Sequence, residues 1–182
     1  MTDKTEQKII DAALKEFAEK GYKGATTRVI AEKAGFSELT LFRKFETKRN
    51  LYEAVLTQKV EEMLKAFEEL VFVDKEFESP RDFLNHFIKN LAKTESDHFD
   101  IFLLSLNSKN EFIEPMMEGT VDAIRKYIEK NIPGKKIDYR TFGLGITSFI
   151  YVINQERYRG RTYLGYEDTI DKFIDNLLVC IQ

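Results

Sequence analysis

Apolar side chains recur every three to four positions along most of this chain, with charged residues between them. Ile9, Ile10, Ala13, Leu14, Phe17 and Ala18 form the first such stripe and predict an amphipathic helix from about Thr5 to Lys20. Gly21 is a natural stop for it. A short helix follows over about Thr27 to Ala34, then a turn at Gly35, where a positive φ suits glycine. Ser37 is placed to cap a second short helix, about Glu38 to Lys44. Thr47 caps a long fourth helix whose apolar side is Leu51, Val55, Val60, Leu64, Phe67 and Val71.

The rest repeats the pattern. Ser79-Pro80 reads as an N-cap followed by proline at the first helical position, with Phe83, Leu84, Phe87, Ile88 and Leu91 at helical intervals behind it. Further helices are predicted at about Asp97 to Leu106, Glu111 to Asn131, Asp138 to Gln155 and Tyr166 to Ile181, the last two joined by a loop over 159–166. Strict alternation and Asn-Gly or Asp-Gly hairpin signals are missing, so no strand is predicted. The expectation is an all-α chain of about nine helices. A three-helix head over 1–47 precedes a helical body over 48–182, with the boundary at the start of the fourth helix.

Composition alone, 43% hydrophobic and 32% charged in 182 residues, is that of an ordinary globular chain. A net charge of -3 argues against nucleic acid until its distribution is considered. Residues 1–50 carry 11 Lys and Arg against 8 Asp and Glu, whereas the remaining 132 carry 17 against 23. A basic head on an acidic body is the asymmetry expected when one end meets phosphate. The single cysteine, Cys180, excludes an internal disulfide and a cysteine metal cluster, and is expected as a buried packing residue. The polar N-terminus lacks a signal-peptide pattern and the apolar runs are too short to span a bilayer, so a cytoplasmic protein with no membrane partner is expected.

The head carries the informative chemistry. Two short helices at a steep angle joined by a tight turn make a helix-turn-helix, whose second helix enters the major groove of DNA. Ile30, Ala31, Ala34, Phe36, Leu41 and Phe45 would lock the pair, and Ala31 and Ala34 are small enough for close approach. Glu38, Leu39, Thr40, Arg43 and Lys44 are then free to face DNA. Arg43 can fork onto a guanine edge or pair with a phosphate. Thr26 and Thr27 open the preceding helix, where hydroxyls and backbone N–H groups suit a phosphate, and Arg28 can reach the groove from there. Lys48 and Arg49 fall in the first turn of the fourth helix, where the helix dipole disfavours cations by up to about 1 kcal/mol. A bound phosphate reverses that penalty.

The segment TTRVIAEKAGFSELTLFRKFETKRNLYEAV resembles the DNA-binding head of the TetR family of transcriptional regulators. The matching elements are the Thr26 cap, Ile30-Ala31, Ala34-Gly35-Phe36-Ser37, Thr40-Leu41-Phe42-Arg43-Lys44-Phe45, Lys48 and Leu51. They cover about residues 5–56. The resemblance implies a homodimer with two heads in successive major grooves of a palindromic operator, acting as a repressor. It also implies a small, apolar effector bound in each body that alters head spacing and releases the DNA. Carried over by position, the DNA-contacting set is Thr26, Thr27, Arg28, Ser37, Leu39, Thr40, Phe42, Arg43, Lys44 and Lys48. Members commonly have a small residue where Leu39 stands, a basic or polar one at Glu38, and tyrosines at Phe42 and Lys44. Phe42 lacks a hydroxyl for phosphate and is expected to pack. Glu38 repels phosphate but can accept from a cytosine amino group.

Eleven of fifteen phenylalanines lie after residue 50, and most are expected as plain core. His86, His98, Phe102, Asn107, Met116 and Asn154, with Arg140, are the candidates for lining or anchoring an effector pocket. The resemblance assigns the last two helices to a four-helix dimer interface, with Gly143, Gly145 and Ser148 as a small-residue strip and Phe173, Ile174, Leu177 and Leu178 as an apolar one. Two rivals remain. Glu95-Ser-Asp-His98 has the Glu-x-x-His spacing of helical carboxylate-bridged metal enzymes, but it occurs once and the chain has two histidines. No catalytic residue, metal or cofactor is therefore expected. The second rival is a helical binding protein without operator recognition, for which Glu38 is the best support.

Overall fold

A computed structural model describes residues 3–107, 113–161 and 165–181, without the side chains of residues 106, 107 and 113–118. Among these residues the chain forms nine α-helices and no strand: α1 Lys4–Gly24, α2 Thr27–Ala34, α3 Glu38–Phe45, α4 Lys48–Ala66, α5 Pro80–Asp97, α6 Phe99–Asn107, α7 Ile113–Asn131, α8 Tyr139–Tyr158 and α9 Tyr166–Cys180. A π-helical turn, Phe67–Val71, prolongs α4, so the apolar stripe predicted to run from Leu51 to Val71 is carried by two kinds of helix. No helix among the described residues is long and apolar enough to cross a membrane.

Caps explain why the predicted boundaries hold. Asp3 accepts from the Glu6 amide at 2.8 Å, Thr26 from Val29 at 3.3 Å, Ser37 from Thr40 at 3.2 Å and Thr47 from Asn50 at 3.0 Å. Ser79 accepts from Asp82 at 3.1 Å and Asp138 from Thr141 at 2.7 Å. Each carboxylate or hydroxyl satisfies an amide that the first helical turn leaves without a partner. Gly21, at φ 67°, interrupts α1 where a stop is predicted, and a further short turn carries the helix to Gly24.

The chain divides into two compact units, Met1–Leu64 with Asp100–Ser108, and Lys65–Phe99 with Lys109–Gln182. The first buries Ile9, Ile10, Ala13, Phe17, Ile30, Ala31, Leu41, Phe45, Leu51 and Val55 around the crossing of α1, α2 and α3. A nearly buried Glu16 accepts from Lys33 at 2.6 Å and fastens α2 to α1. Phe17, Tyr22 and Tyr52 stack edge and face at 5.0–6.1 Å.

The second unit is centred on α5. Phe83 and Phe87 stack at 5.6 Å and both meet Tyr127 of α7. Enclosure pushes the Tyr127 hydroxyl up to about 12, and it donates to the Val73 carbonyl at 3.1 Å. Gly143 is buried where α8 crosses α7: a Cβ there would lie 2.8 Å from Ile124 Cγ2. This corrects its expected place on an outward small-residue strip, because it serves helix packing within the unit. Gly145 and Ser148 are exposed. Cys180 is also exposed, against the expectation of burial. Ile170, Ile174 and Ile181 are the residues buried at this end, which leaves Val179 and Cys180 on the outward side.

Candidate nucleic-acid interface

The predicted contact residues converge on the first unit. Leu41 and Phe45 are the buried residues of α3, so Leu39 and Arg43, one turn apart, point outward with Phe42 beside them. Leu39 is 61% exposed and Phe42 39%. Phe42 is thus a surface ring and not a packing residue. Two exposed apolar side chains next to a guanidinium, on an eight-residue helix, have no use in the core. They suit a surface that meets base edges and thymine methyls.

The cations differ in what meets their charge. Arg28 and Arg43 are exposed and make no ion pair among the described residues. Lys48, the first residue of α4, has its ammonium 4.7 Å from the centre of the Tyr22 ring, which the sequence did not suggest. The π-face offsets part of the dipole penalty without neutralising the ammonium. Arg49 is paired with Glu53 at 2.8 Å one turn along α4, so its charge is met inside the chain. Lys44 forms an ion pair with Asp3, whose carboxylate holds its ammonium above the usual lysine range.

The hydroxyls are ordered by the same caps that build the helices. Thr26 is exposed at the start of α2. Thr27 Oγ1 donates to Glu38 Oε1 at 2.6 Å, tying the start of α2 to the first turn of α3. Glu38, read from sequence as a free acid that faces DNA, is half-buried in this tie. Ser37 Oγ and Thr40 Oγ1 share a hydrogen bond at 2.9 Å. Sequence reasoning missed both carboxylate contacts, with Asp3 and Glu38, because their partners lie 41 and 11 positions away.

Within the second unit, the described candidates for an effector pocket, Asn154 and His86, have different hydrogen-bond partners. Asn154 is buried and donates to the Ala92 carbonyl at 3.0 Å and to Glu95 Oε1 at 3.4 Å, while Tyr166 donates to Asn154 Oδ1 at 2.8 Å. Glu95, 3% exposed, is pushed up to about 7 by burial, against which the Asn154 bond acts. His86 belongs to a separate group: its Nδ1 meets Asn90 Nδ2 at 3.1 Å, its ring lies 5.2 Å from Phe77, and burial and then Lys75 lower its pKa. His98 ends α5, where its amide donates to Thr94 at 3.1 Å, and Phe102 is half-buried on α6. Arg140 is exposed at the start of α8. The side chains of Asn107 and Met116 lie outside the described residues.

The outward face of α8 presents Leu144 at 42% exposure and Val152 at 51%, with Gly145 and Ser148 between them, and Val179 of α9 is 69% exposed. Phe149 of α8 and Phe173 of α9 stack at 3.8 Å. Ile174, expected on the apolar strip of α9, is buried within the unit.

Comparison with known proteins fits this geometry. The family model of bacterial regulatory proteins, tetR family, matches residues 9–55. The uncharacterized HTH-type transcriptional regulator YvkB of Bacillus subtilis (strain 168) is 50% identical over 54 residues, which is 30% of this chain and 29% of that one. The match therefore spans under a third of that relative's length. Among solved structures, a bacterial regulatory protein in the tetR family from Rhodococcus RHA1 superposes with a TM-score of 0.75 at 21% identity, covering 99% of this chain and 98% of that one. AibR, solved in complex with isovaleryl coenzyme A and operator DNA, superposes with a TM-score of 0.69 at 15% identity, covering 94% and 96%. The tetR-family match thus lies in residues 9–55, and the described chain as a whole shares the all-α fold of the solved TetR-like structures.

Proposed function

We propose that this protein is a transcriptional repressor that binds a palindromic duplex operator as a homodimer and is released by a small effector bound in the body. The observation that carries the reading is the outward face of α3, where Leu39, Phe42 and Arg43, which makes no ion pair among the described residues, stand exposed together on the second helix of a helix-turn-helix. Arg43 reads a base edge or holds a phosphate. Arg28, Thr26 and Lys48 add backbone contacts from the starts of α2 and α4. Thr27, Ser37, Thr40 and Lys44 complete the set, Thr27 by its backbone amide because its hydroxyl proton is given to Glu38.

The dimer is supported by the outward faces of α8 and α9. Leu144 and Val152 are exposed there, and Gly145 and Ser148 permit close approach of a second helix. The effector is supported by the fold likeness to AibR, solved with both an acyl-coenzyme A and operator DNA.

Selection from a random duplex pool with the intact protein should enrich an inverted repeat. The paired change Arg43→Ala with Lys48→Ala should then weaken binding at least about 100-fold, taking the 1–3 kcal/mol of a lost base contact with a lost phosphate contact in each head. The melting temperature and dimer should be unchanged. A pool that yields no enriched repeat, or a double variant that binds as the parent does, removes the repressor reading.

A further inference from the structure

The ion pair between Asp3 and Lys44 joins the first turn of α1 to the last turn of α3. Asp3 has two tasks. Its Oδ1 accepts from the Glu6 amide at 2.8 Å and caps α1, while its Oδ2 meets the Lys44 ammonium. Glu6 adds a second negative charge that acts on Lys44 in the same direction. On α3 this separates two neighbours. Among the described residues Arg43 makes no ion pair while Lys44 is committed, although the two are consecutive on the helix read as meeting DNA.

The consequence follows from competition for one ammonium. The Lys44 and Asp3 side chains are 35% and 51% exposed, so the pair is screened by solvent and a phosphate can displace the carboxylate. Displacement leaves the Asp3 charge beside that phosphate, because the cap to Glu6 keeps it at the start of α1. Both effects oppose duplex binding, and neither depends on base sequence. We propose that Asp3 is an electrostatic brake on the recognition helix, holding Lys44 off the sugar-phosphate strand and lowering the number of phosphates each head neutralises. The proposal rests on the operator-binding reading above and adds a regulating residue outside the helix-turn-helix.

The test uses the intact protein and its selected duplex, titrated from 50 to 200 mM salt. Asp3→Ser and Asp3→Asn both keep a capping oxygen for α1 while removing the charge. Each should tighten binding about three- to tenfold at the low-salt end and steepen the slope of log K against log salt by about 0.9 per head. Lys44→Ala added to Asp3→Ser should cancel the gain in affinity and in slope, because the freed cation is the one that gains the phosphate. Unchanged affinity and slope in both Asp3 variants, with Arg43→Ala still weakening binding, overturns the brake and leaves the operator reading standing. So does a gain on Asp3→Ser that survives the added Lys44→Ala. Absence of saturable duplex binding by the parent protein overturns the operator reading and the brake with it.

Discussion

Glu95 and Arg43 are opposite cases of a charged side chain placed for a reason. Arg43 stands in solvent with no acid to meet it among the described residues, a state that costs little and leaves it available to a ligand. Glu95 is enclosed beside a buried asparagine and a tyrosine hydroxyl, with no cation paired to it among the described residues. Burial favours its neutral form, so the folded value of about 7 stands above the ordinary 4.5. The sign then follows. Between those two values the folded chain holds a proton that the unfolded chain has lost, so stability falls as pH rises from about 4.5 to about 7 and is level beyond. Glu95→Gln should remove that slope and gain on the order of 3 kcal/mol over the parent above pH 7. Thermal melts of both proteins from pH 4.5 to 8 check it; parallel curves would contradict it. His98, three residues on, made Glu95 look like half of a metal motif in the sequence. Its neighbours Asn154 and Tyr166, 59 and 71 positions away, could not be read from spacing.

At the scale of the elements, the turn between α3 and α4 aims Lys48. Glu46 there has φ 62° and ψ -46°, and the Thr47 amide donates to the Phe45 carbonyl at 2.6 Å, which closes a γ-turn around it. Side chains other than glycine are strained in that region by about 1–3 kcal/mol. Glu46→Gly should therefore raise stability by about 1 kcal/mol, the relief being partly offset by the greater freedom of glycine in the unfolded chain. The melting temperature reports it, and a drop would contradict the strained turn. Helix boundaries in this chain were legible because their causes are local. Asp3, Thr26, Ser37, Thr47, Ser79 and Asp138 each cap within three residues of themselves. The phase of a helix against its neighbours is not local. Gly143 and Gly145 look alike in sequence, yet only Gly143 meets Ile124 of α7. Cys180 sits in an apolar run and still faces outward.

For the molecule as a whole, the legible part was the head. Its predicted contact residues lie in one short segment within the tetR-family match, and the charge asymmetry points to the same end. The body was legible only as helices, because its phenylalanines pack alike whether or not a cavity lies among them. Its outward faces carry the next prediction. Val152 is half exposed on the side of α8 that also bears Leu144, Gly145 and Ser148. Val152→Glu would set like charges against each other across a symmetric contact, at little cost to its own unit. Sedimentation should show the parent as a dimer and Val152→Glu as a monomer with an unchanged helical spectrum. A parent that sediments as a monomer, or a variant that remains dimeric, removes α8 from the interface.

The account rests on cations of the first unit meeting phosphate, and salt reports that directly. Affinity for the selected inverted repeat, measured by fluorescence anisotropy at a series of salt concentrations, should fall linearly in log–log form with a slope of about -4 to -8. That corresponds to a few phosphates neutralised by each of two heads. In the Arg43→Ala, Lys48→Ala protein the slope should flatten by about 2 to 4. An affinity indifferent to salt, or a slope the double change does not alter, would contradict it.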